Sequence, residues 1–473
     1  MTLAHILVFI TAALIYGLIL PDRWRGWFIV IASFIAVYWL QPPLAVRWLD
    51  FALPTATIIL TVACWWLTRA GDSPITRGDW GVIGLAAAVV LALVLMRDVR
   101  PELRPTASRP PDLIFAAGAL ALLGAISLVG WRLSSRRAAL TIGLIVLIAV
   151  FVVLKTEPLT IAAASWLRGQ TGQQTDLASM TDIAWLGFSY IAFRLIHTLR
   201  DRQMGKLPAL TLREYVGYVL FFPALTAGPI DRAERFIRDF RALSDLAHSR
   251  YVIGGYRVGV GLLKKFVIAD SIALFALNPA NAAQTDSALW LWLLLYAFAF
   301  RLYFDFSGYS DIAIGIGILY GVNLPENFDR PYTRASLTAF WQSWHITLST
   351  WARLYVFSPM SRALLTRKAP AVRVVLIAQL ATMLTIGLWH GVTPNFALWG
   401  LWHALGLFAH KQWSDRTRAW YRDLQGRSTA RRLWSVGGWL LTFHFVVLGW
   451  VWFAIPDFAS ALSVLARLFG GGR

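Results

Sequence analysis

The chain has 473 residues, of which 58% are hydrophobic and only 15% charged, where a soluble globular domain is nearer half apolar and a quarter charged. Mean hydropathy is +0.58. The 44 Lys and Arg outnumber the 25 Asp and Glu for a formal net charge of +19, but they fall between apolar blocks, the pattern of a membrane protein with basic loops and not of a nucleic-acid binder. A single cysteine, Cys64, excludes an intrachain disulfide and a thiolate metal cluster.

Six apolar blocks open the chain, at 3–20, 24–41, 51–68, 80–97, 112–131 and 138–154, each near the length that crosses a hydrocarbon core of ~30 Å. Turn and charge signals bound them: Pro21-Asp22-Arg23, Pro42-Pro43, Gly71-Asp72-Ser73-Pro74, the Pro/Arg loop 100–111, and Arg136-Arg137. Trp24, Trp27, Trp65, Trp66, Trp80 and Trp131 flank the blocks, where amphipathic rings sit at headgroup level. No basic stretch or small-residue cleavage site accompanies Leu3–Leu20, which predicts a retained first span. Cys64 has no base beside it in its block and reads as a packed small hydrophobe. Nothing ionisable lies deep in these blocks, so they are expected to form lipid-facing scaffold. No internal repeat is evident, so the inverted-repeat signature of many transporters is absent.

From about residue 180 the apolar segments carry polar groups and helix breakers. Segment 181–199 holds Arg194 and His197, for which a structural pairing is the favoured reading. Segment 214–230 ends in Phe221-Phe222-Pro223…Ala227-Gly228-Pro229, too broken for a plain span and suited to a re-entrant one. Segment 251–277 holds Lys264-Lys265, and 286–321 holds Asp305 and Asp311. Segment 336–358 is amphipathic. Then come 371–390, 395–411, 433–454 and a short amphipathic tail at 457–469. The expectation is an all-α, polytopic integral membrane protein of roughly eleven to fourteen membrane segments, re-entrant and amphipathic ones included. It divides into N-terminal transmembrane helices (1–155), a core (181–454) and a C-terminal tail (455–473). Loops 361–373 and 411–432 are rich in Lys and Arg and are separated by two segments, so both are expected on one side, the cytoplasmic one, joined there by loop 231–250.

Ionisable groups at membrane depth are expensive and are functional candidates by default. His390 ends an apolar run inside Gly387-Leu388-Trp389-His390-Gly391. A poorly hydrated neutral imidazole suits a general base toward a hydroxyl, and the flanking glycines let backbone or substrate approach; a structural histidine bonded to a carbonyl fits the same spacing. In Phe340-Trp341-Gln342-Ser343-Trp344-His345-Ile346-Thr347-Leu348-Ser349-Thr350-Trp351, an apolar stripe of Leu337, Phe340, Trp341, Trp344, Leu348, Trp351 and Tyr355 recurs at helical spacing. Gln342, His345, Ser349 and Arg353 run beside it and share a face if the helix is continuous. That face fits either a buried polar wall or a helix lying on the membrane surface. In Tyr303-Phe304-Asp305-Phe306-Ser307-Gly308-Tyr309-Ser310-Asp311 the two carboxylates lie on different helix faces and form no paired dyad; each is expected to hold a His, Arg or backbone amide. The polar loop Asn323-Leu324-Pro325-Glu326-Asn327-Phe328-Asp329-Arg330-Pro331-Tyr332 leads to the His345 segment. No HExxH and no Cys/His spacing is present, so no metal is assigned.

These motifs in this order closely resemble the membrane-bound O-acyltransferase family. The segments that carry the likeness are Phe304–Asp311, Glu326-Asn327-Phe328 with Pro331-Tyr332, Phe340–Trp351 and Gly387–Gly391. Within the family they are most similar to the bacterial branch that O-acetylates alginate or peptidoglycan or transfers D-alanine to teichoic acid. Gly187-Phe188-Ser189-Tyr190 and Phe221-Phe222-Pro223 with Ala227-Gly228-Pro229-Ile230 add to the likeness, which covers about 181–411. The resemblance implies that His390 is the principal catalytic residue and His345 the second. Asp305, Asp311, Asn327, Gln342, Ser349, Arg353 and Trp389 would bind substrate or support the histidines. It also implies a helical body with a funnel or tunnel inside the membrane, an acyl thioester donor (acetyl-CoA or an acyl-carrier protein) as substrate with no tightly bound cofactor, a polysaccharide acceptor, an extracytoplasmic acyltransferase-type partner protein, and placement in the inner membrane. The chain departs from the family pattern at Arg353-Leu354-Tyr355 and Ser358-Pro359-Met360, and near His197 and Leu199-Arg200-Asp201. A rival reading is a secondary transporter or proton-coupled channel running through Asp305, Asp311 and the histidines.

Overall fold

The computed structural model describes residues 2–70, 73–133, 137–243 and 248–471. The turn residues Gly71, Asp72 and Arg136, the Trp131 side chain and residues 244–247 of the basic loop lie outside the described residues. Every regular element among those described is helical. Among the described residues six helices are long and apolar enough to cross a membrane: Leu49–Thr68, Arg77–Asp98, Arg137–Lys155, Ala288–Leu319, Ala371–His390 and Ser428–Ala454. Leu3–Leu18, Leu113–Val129 and Phe458–Arg467 are shorter apolar helices. The chain is a multi-pass integral membrane protein of the all-α class.

Two compact units divide it, Met1–Val258 with Ile312–Pro325, and Gly259–Asp311 with Glu326–Arg473. In the first unit the six expected blocks appear as Leu3–Leu18, Asp22–Trp39, Leu49–Thr68, Arg77–Leu95, Leu113–Leu133 and Arg137–Lys155. They are not uniform scaffold. Only 11% of the apolar window of Arg137–Lys155 is buried, whereas 67% of that of Leu49–Thr68 is. That helix can be buried because its hydroxyls are satisfied locally: Thr55, Thr57, Thr61 and Thr68 each donate to the carbonyl four residues back, at 2.8–3.0 Å. Cys64 is buried there, as expected of a packed small hydrophobe.

Between the sixth block and segment 181–199 lies the helix Glu157–Gln170, held by Arg168 donating to Asp182 at 2.5 Å. Segment 214–230 is broken as its prolines suggested: the helix Leu212–Val219 gives way to a short 3-10 turn at Phe222–Ala224. The carbonyls this break leaves without helical partners are taken by Arg194. Its guanidinium, on Phe188–Gln203, donates to the Val219 and Ala224 carbonyls at 2.8 Å each and to Pro229 at 3.3 Å. Arg194 is thus structural, holding backbone carbonyls of the broken segment. Gly187 and Gly228 have left-handed φ of 70° and 80°; a Cβ at Gly187 would meet the Leu225 carbonyl oxygen at 2.4 Å, so the two glycine motifs pack the same turn.

In the second unit Ala371–His390 packs along Pro394–Arg416. Thr393 caps the latter by accepting from the Phe396 amide, with Pro394 as its first residue. The pair is close enough that a Cβ on Gly387 would lie 2.3 Å from the Phe396 carbonyl oxygen, and one on Gly400 would lie 2.7 Å from that of Met383. Gly387 therefore serves helix–helix approach. The tail helix Phe458–Arg467 is tied by Arg467 donating to the Thr285 carbonyl at 2.8 Å.

Candidate active site

Segment 336–358 is not the single amphipathic helix its spacing predicts. Leu337–Trp341 is one short helix and Ile346–Ala352 another, followed by a π-helical stretch Arg353–Phe357. Between the first two the chain turns at residues 342–345, and His345 takes φ 40°, ψ 55°, the left-handed region. The interruption disperses the expected polar face. Gln342 and Arg353 are exposed, Ser349 is half-buried and donates to the Trp344 carbonyl at 3.2 Å, and His345 is buried. The left-handed residue breaks the helical phase between Gln342 and the residues after 345, and the π-helical stretch shifts Arg353 from Ser349.

Three backbone and side-chain bonds hold the turn. The Ile346 amide donates to the Asn327 carbonyl at 2.9 Å, the Thr347 hydroxyl donates to Asn327 Oδ1 at 2.6 Å, and the Asp329 amide donates to the Ser343 carbonyl at 2.9 Å. Asn327 in turn donates through Nδ2 to Ser310 Oγ at 3.1 Å. Fully buried Asn327 thus links the motif on Ala288–Leu319 to the residues following His345. It braces the site.

The His345 imidazole stands edge-on to Phe306, centroids 4.7 Å apart, and 6.0 Å from the Trp389 ring. Among the described residues neither of its ring nitrogens has a hydrogen-bond partner. A buried imidazole with both nitrogens in that state is unusual in a purely structural role. Trp389 also contacts His390, centroids 4.5 Å apart, so one indole lies against both histidines. His390 is the last residue of Ala371–His390, half-buried, with Phe453 at 4.8 Å and Trp399 at 5.7 Å around it. The structure therefore brings together His390, His345 and Trp389, with Asn327 behind them. Phe306 lay inside a motif already singled out; Phe453, from a distant helix, had no sequence signal.

Asp305 and Asp311 each pair with a lysine. Lys264 donates to Asp311 at 2.6 Å and Lys265 to Asp305 at 2.5 Å. Two features explain the pairing. The lysines sit on a π-helical stretch, Leu263–Ala269. The two carboxylates, six residues apart, are about 120° apart around their own helix, near the ~100° between consecutive residues of a facing helix. These pairs set a lysine charge against each carboxylate, which leaves the ion-path reading without support.

His403 is fully buried, and Trp341 Nε1 donates to its Nδ1 at 3.3 Å; His444 and His410 bond Tyr296 and Thr338 at 2.8 and 3.0 Å. In the first unit, donor atoms of His197, Asp201 and Glu234 lie within 4.8 Å of one another. His197 Nε2 accepts from the Ala233 amide at 3.2 Å, which puts the neutral ring's proton on Nδ1, facing Asp201 at 3.5 Å.

The family model of the membrane-bound O-acyltransferases matches residues 137–449. A peptidoglycan O-acetyltransferase of Helicobacter pylori is 34% identical over 54% of this chain and 46% of its own length. A probable alginate O-acetylase of Pseudomonas syringae pv. tomato is 35% identical over 60% of this chain and 51% of its own. A teichoic acid D-alanyltransferase of Streptococcus thermophilus is 31% identical over 57% of this chain and 68% of its own. The chain spans about half the length of the two O-acetylation relatives. With the match running through the spans, the His345 turn and the His390 helix, the chain belongs to the membrane-bound O-acyltransferase family.

Proposed function

We propose that this protein transfers an acyl group, acetyl in the simplest case, from a thioester donor to a hydroxyl of a cell-envelope or exported polysaccharide. The observation that carries the reading is the pair of histidines on one indole, one of them buried with neither ring nitrogen bonded among the described residues, in a chain of this family. His390 takes the proton of the acceptor hydroxyl as its oxygen attacks the thioester carbonyl. The C–S bond then breaks, and the departing thiolate receives that proton. An N–H of His345 polarises the carbonyl oxygen. A positioned base contributes ~10²–10⁴ in rate and an oxyanion donor ~10²–10³. Phe306, Trp389, Trp399 and Phe453 supply an apolar wall that keeps water from the thioester.

The donor is acetyl-CoA or an acyl-carrier protein, and the site is the inner membrane, with an extracytoplasmic acyltransferase-type partner passing the group onward. The named activities of the relatives support the acceptor class. The test is His390→Ala, expressed in a strain deleted for the chromosomal copy, with envelope polysaccharide acylation read by mass spectrometry. Acylation falls by at least ~10²-fold while the membrane-extracted protein keeps its melting temperature. Parental acylation in that variant would overturn the assignment.

A further inference from the structure

A polar cavity of about 300 Å³ lies in the first unit, at the start of Asp22–Trp39, the start of Leu212–Val219 and the end of Ala233–Arg241. Its walls carry two carboxylates, Asp22 and Glu214, and three guanidiniums, Arg23, Arg213 and Arg241, against the Phe240 ring. Both carboxylates are already engaged. Asp22 meets Arg25 at 2.9 Å. Glu214 accepts from Arg241 Nε at 2.6 Å, from its Nη2 at 3.2 Å and from the Thr211 amide at 2.9 Å. Arg213 lays its guanidinium over the Trp27 ring at 5.7 Å, and Arg23 is exposed. Among the described residues neither of these two has a carboxylate partner.

Two positive charges therefore face a cavity whose own negative groups are neutralised. Room is kept by Gly26, where a Cβ would lie 3.4 Å from Phe240 and 3.7 Å from Arg213 Nε. Depth is marked by tryptophan: Trp24 and Trp80 are 51% and 54% exposed, as rings at headgroup level are.

We propose that this cavity binds the phosphate of an anionic phospholipid headgroup, with Arg23 and Arg213 as its ligands. Guanidiniums match phosphate oxygens in bidentate geometry, and the cavity is larger than a bare phosphate requires. The site is independent of the acyl-transfer reading, and neither arginine belongs to the catalytic machinery placed above.

The experiment uses the full chain in detergent, with melting temperature and native mass spectrometry as readouts. Dihexanoyl phosphatidylglycerol, dihexanoyl phosphatidylcholine and inorganic phosphate are added separately. Phosphatidylglycerol is expected to raise the melting temperature and leave one bound adduct, with a smaller effect from phosphatidylcholine. Arg23→Gln/Arg213→Gln abolishes the shift. Arg23→Gln alone, on an exposed side chain that folding does not need, weakens it. An equal, arginine-dependent shift from inorganic phosphate upholds the anion site and assigns it to free phosphate. No shift with either anion, or the same shift in the double variant, overturns the proposal.

Discussion

His345 sits where an L-residue pays for its backbone, with φ 40° and ψ 55°, a conformation costing roughly 1–2 kcal/mol. Such residues persist only when their surroundings over-determine them. Here Asn327 does so, through its carbonyl to Ile346, its Oδ1 to Thr347 and its Nδ2 to Ser310. Asn327→Ala removes both side-chain bonds, to Thr347 and Ser310, at about 0.5–1.5 kcal/mol each. The variant is expected to melt several degrees lower and to turn over more slowly, since His345 is released from its pose. Asn327→Asp keeps the acceptor for Thr347 but loses the donor to Ser310 and buries a charge, so it should not rescue. Parental melting and turnover in Asn327→Ala would show that the brace is idle.

At the scale of the helices, Lys264 and Lys265 reach two carboxylates across a close crossing. Gly308 lies between the two aspartates in sequence, and a Cβ there would meet the Lys265 amide nitrogen at 2.8 Å and the Gly261 carbonyl oxygen at 2.9 Å. The Asp311 carboxylate is buried and Lys264 largely so. Removing one partner of a buried pair costs about 3–5 kcal/mol, whereas replacing both by apolar groups is near neutral. Lys264→Met is therefore expected to lower stability by about that amount, and Lys264→Met/Asp311→Leu to recover most of it. Equal losses in the single and double variants, read from melting in detergent, would mean that the pair is not coupled. This crossing also shows what was legible in the chain. Hydropathy located the opening helices, because length and apolarity alone decide a span. The motifs named the residues around His390 and His345. The interrupted 336–358 segment was not legible, because Phe340, Trp344, Leu348 and Trp351 keep a helical apolar period across the break; only the bonds to Asn327, from another segment, impose the turn. The lysine partners were missed for a similar reason, since a π-helical stretch depends on packing and leaves no periodicity to read.

For the whole molecule, the +19 charge is a statement about topology. Loops 361–373 and 411–432 are separated by two helices, Ala371–His390 and Pro394–Arg416, so if both helices cross, the loops share a side. The positive-inside bias places that side in the cytoplasm. The composition of the chain makes this testable, because its one cysteine, Cys64, is only 4% exposed and gives little background labelling. Arg367→Cys and Arg427→Cys each put a thiol at an exposed position of one loop. A membrane-impermeant maleimide should label neither variant in intact spheroplasts and both after lysis. Labelling of both before lysis reverses the orientation. Labelling of one alone means that one of the two helices does not cross, and Pro394–Arg416, which is not among the six helices long and apolar enough to span, would be the one in question.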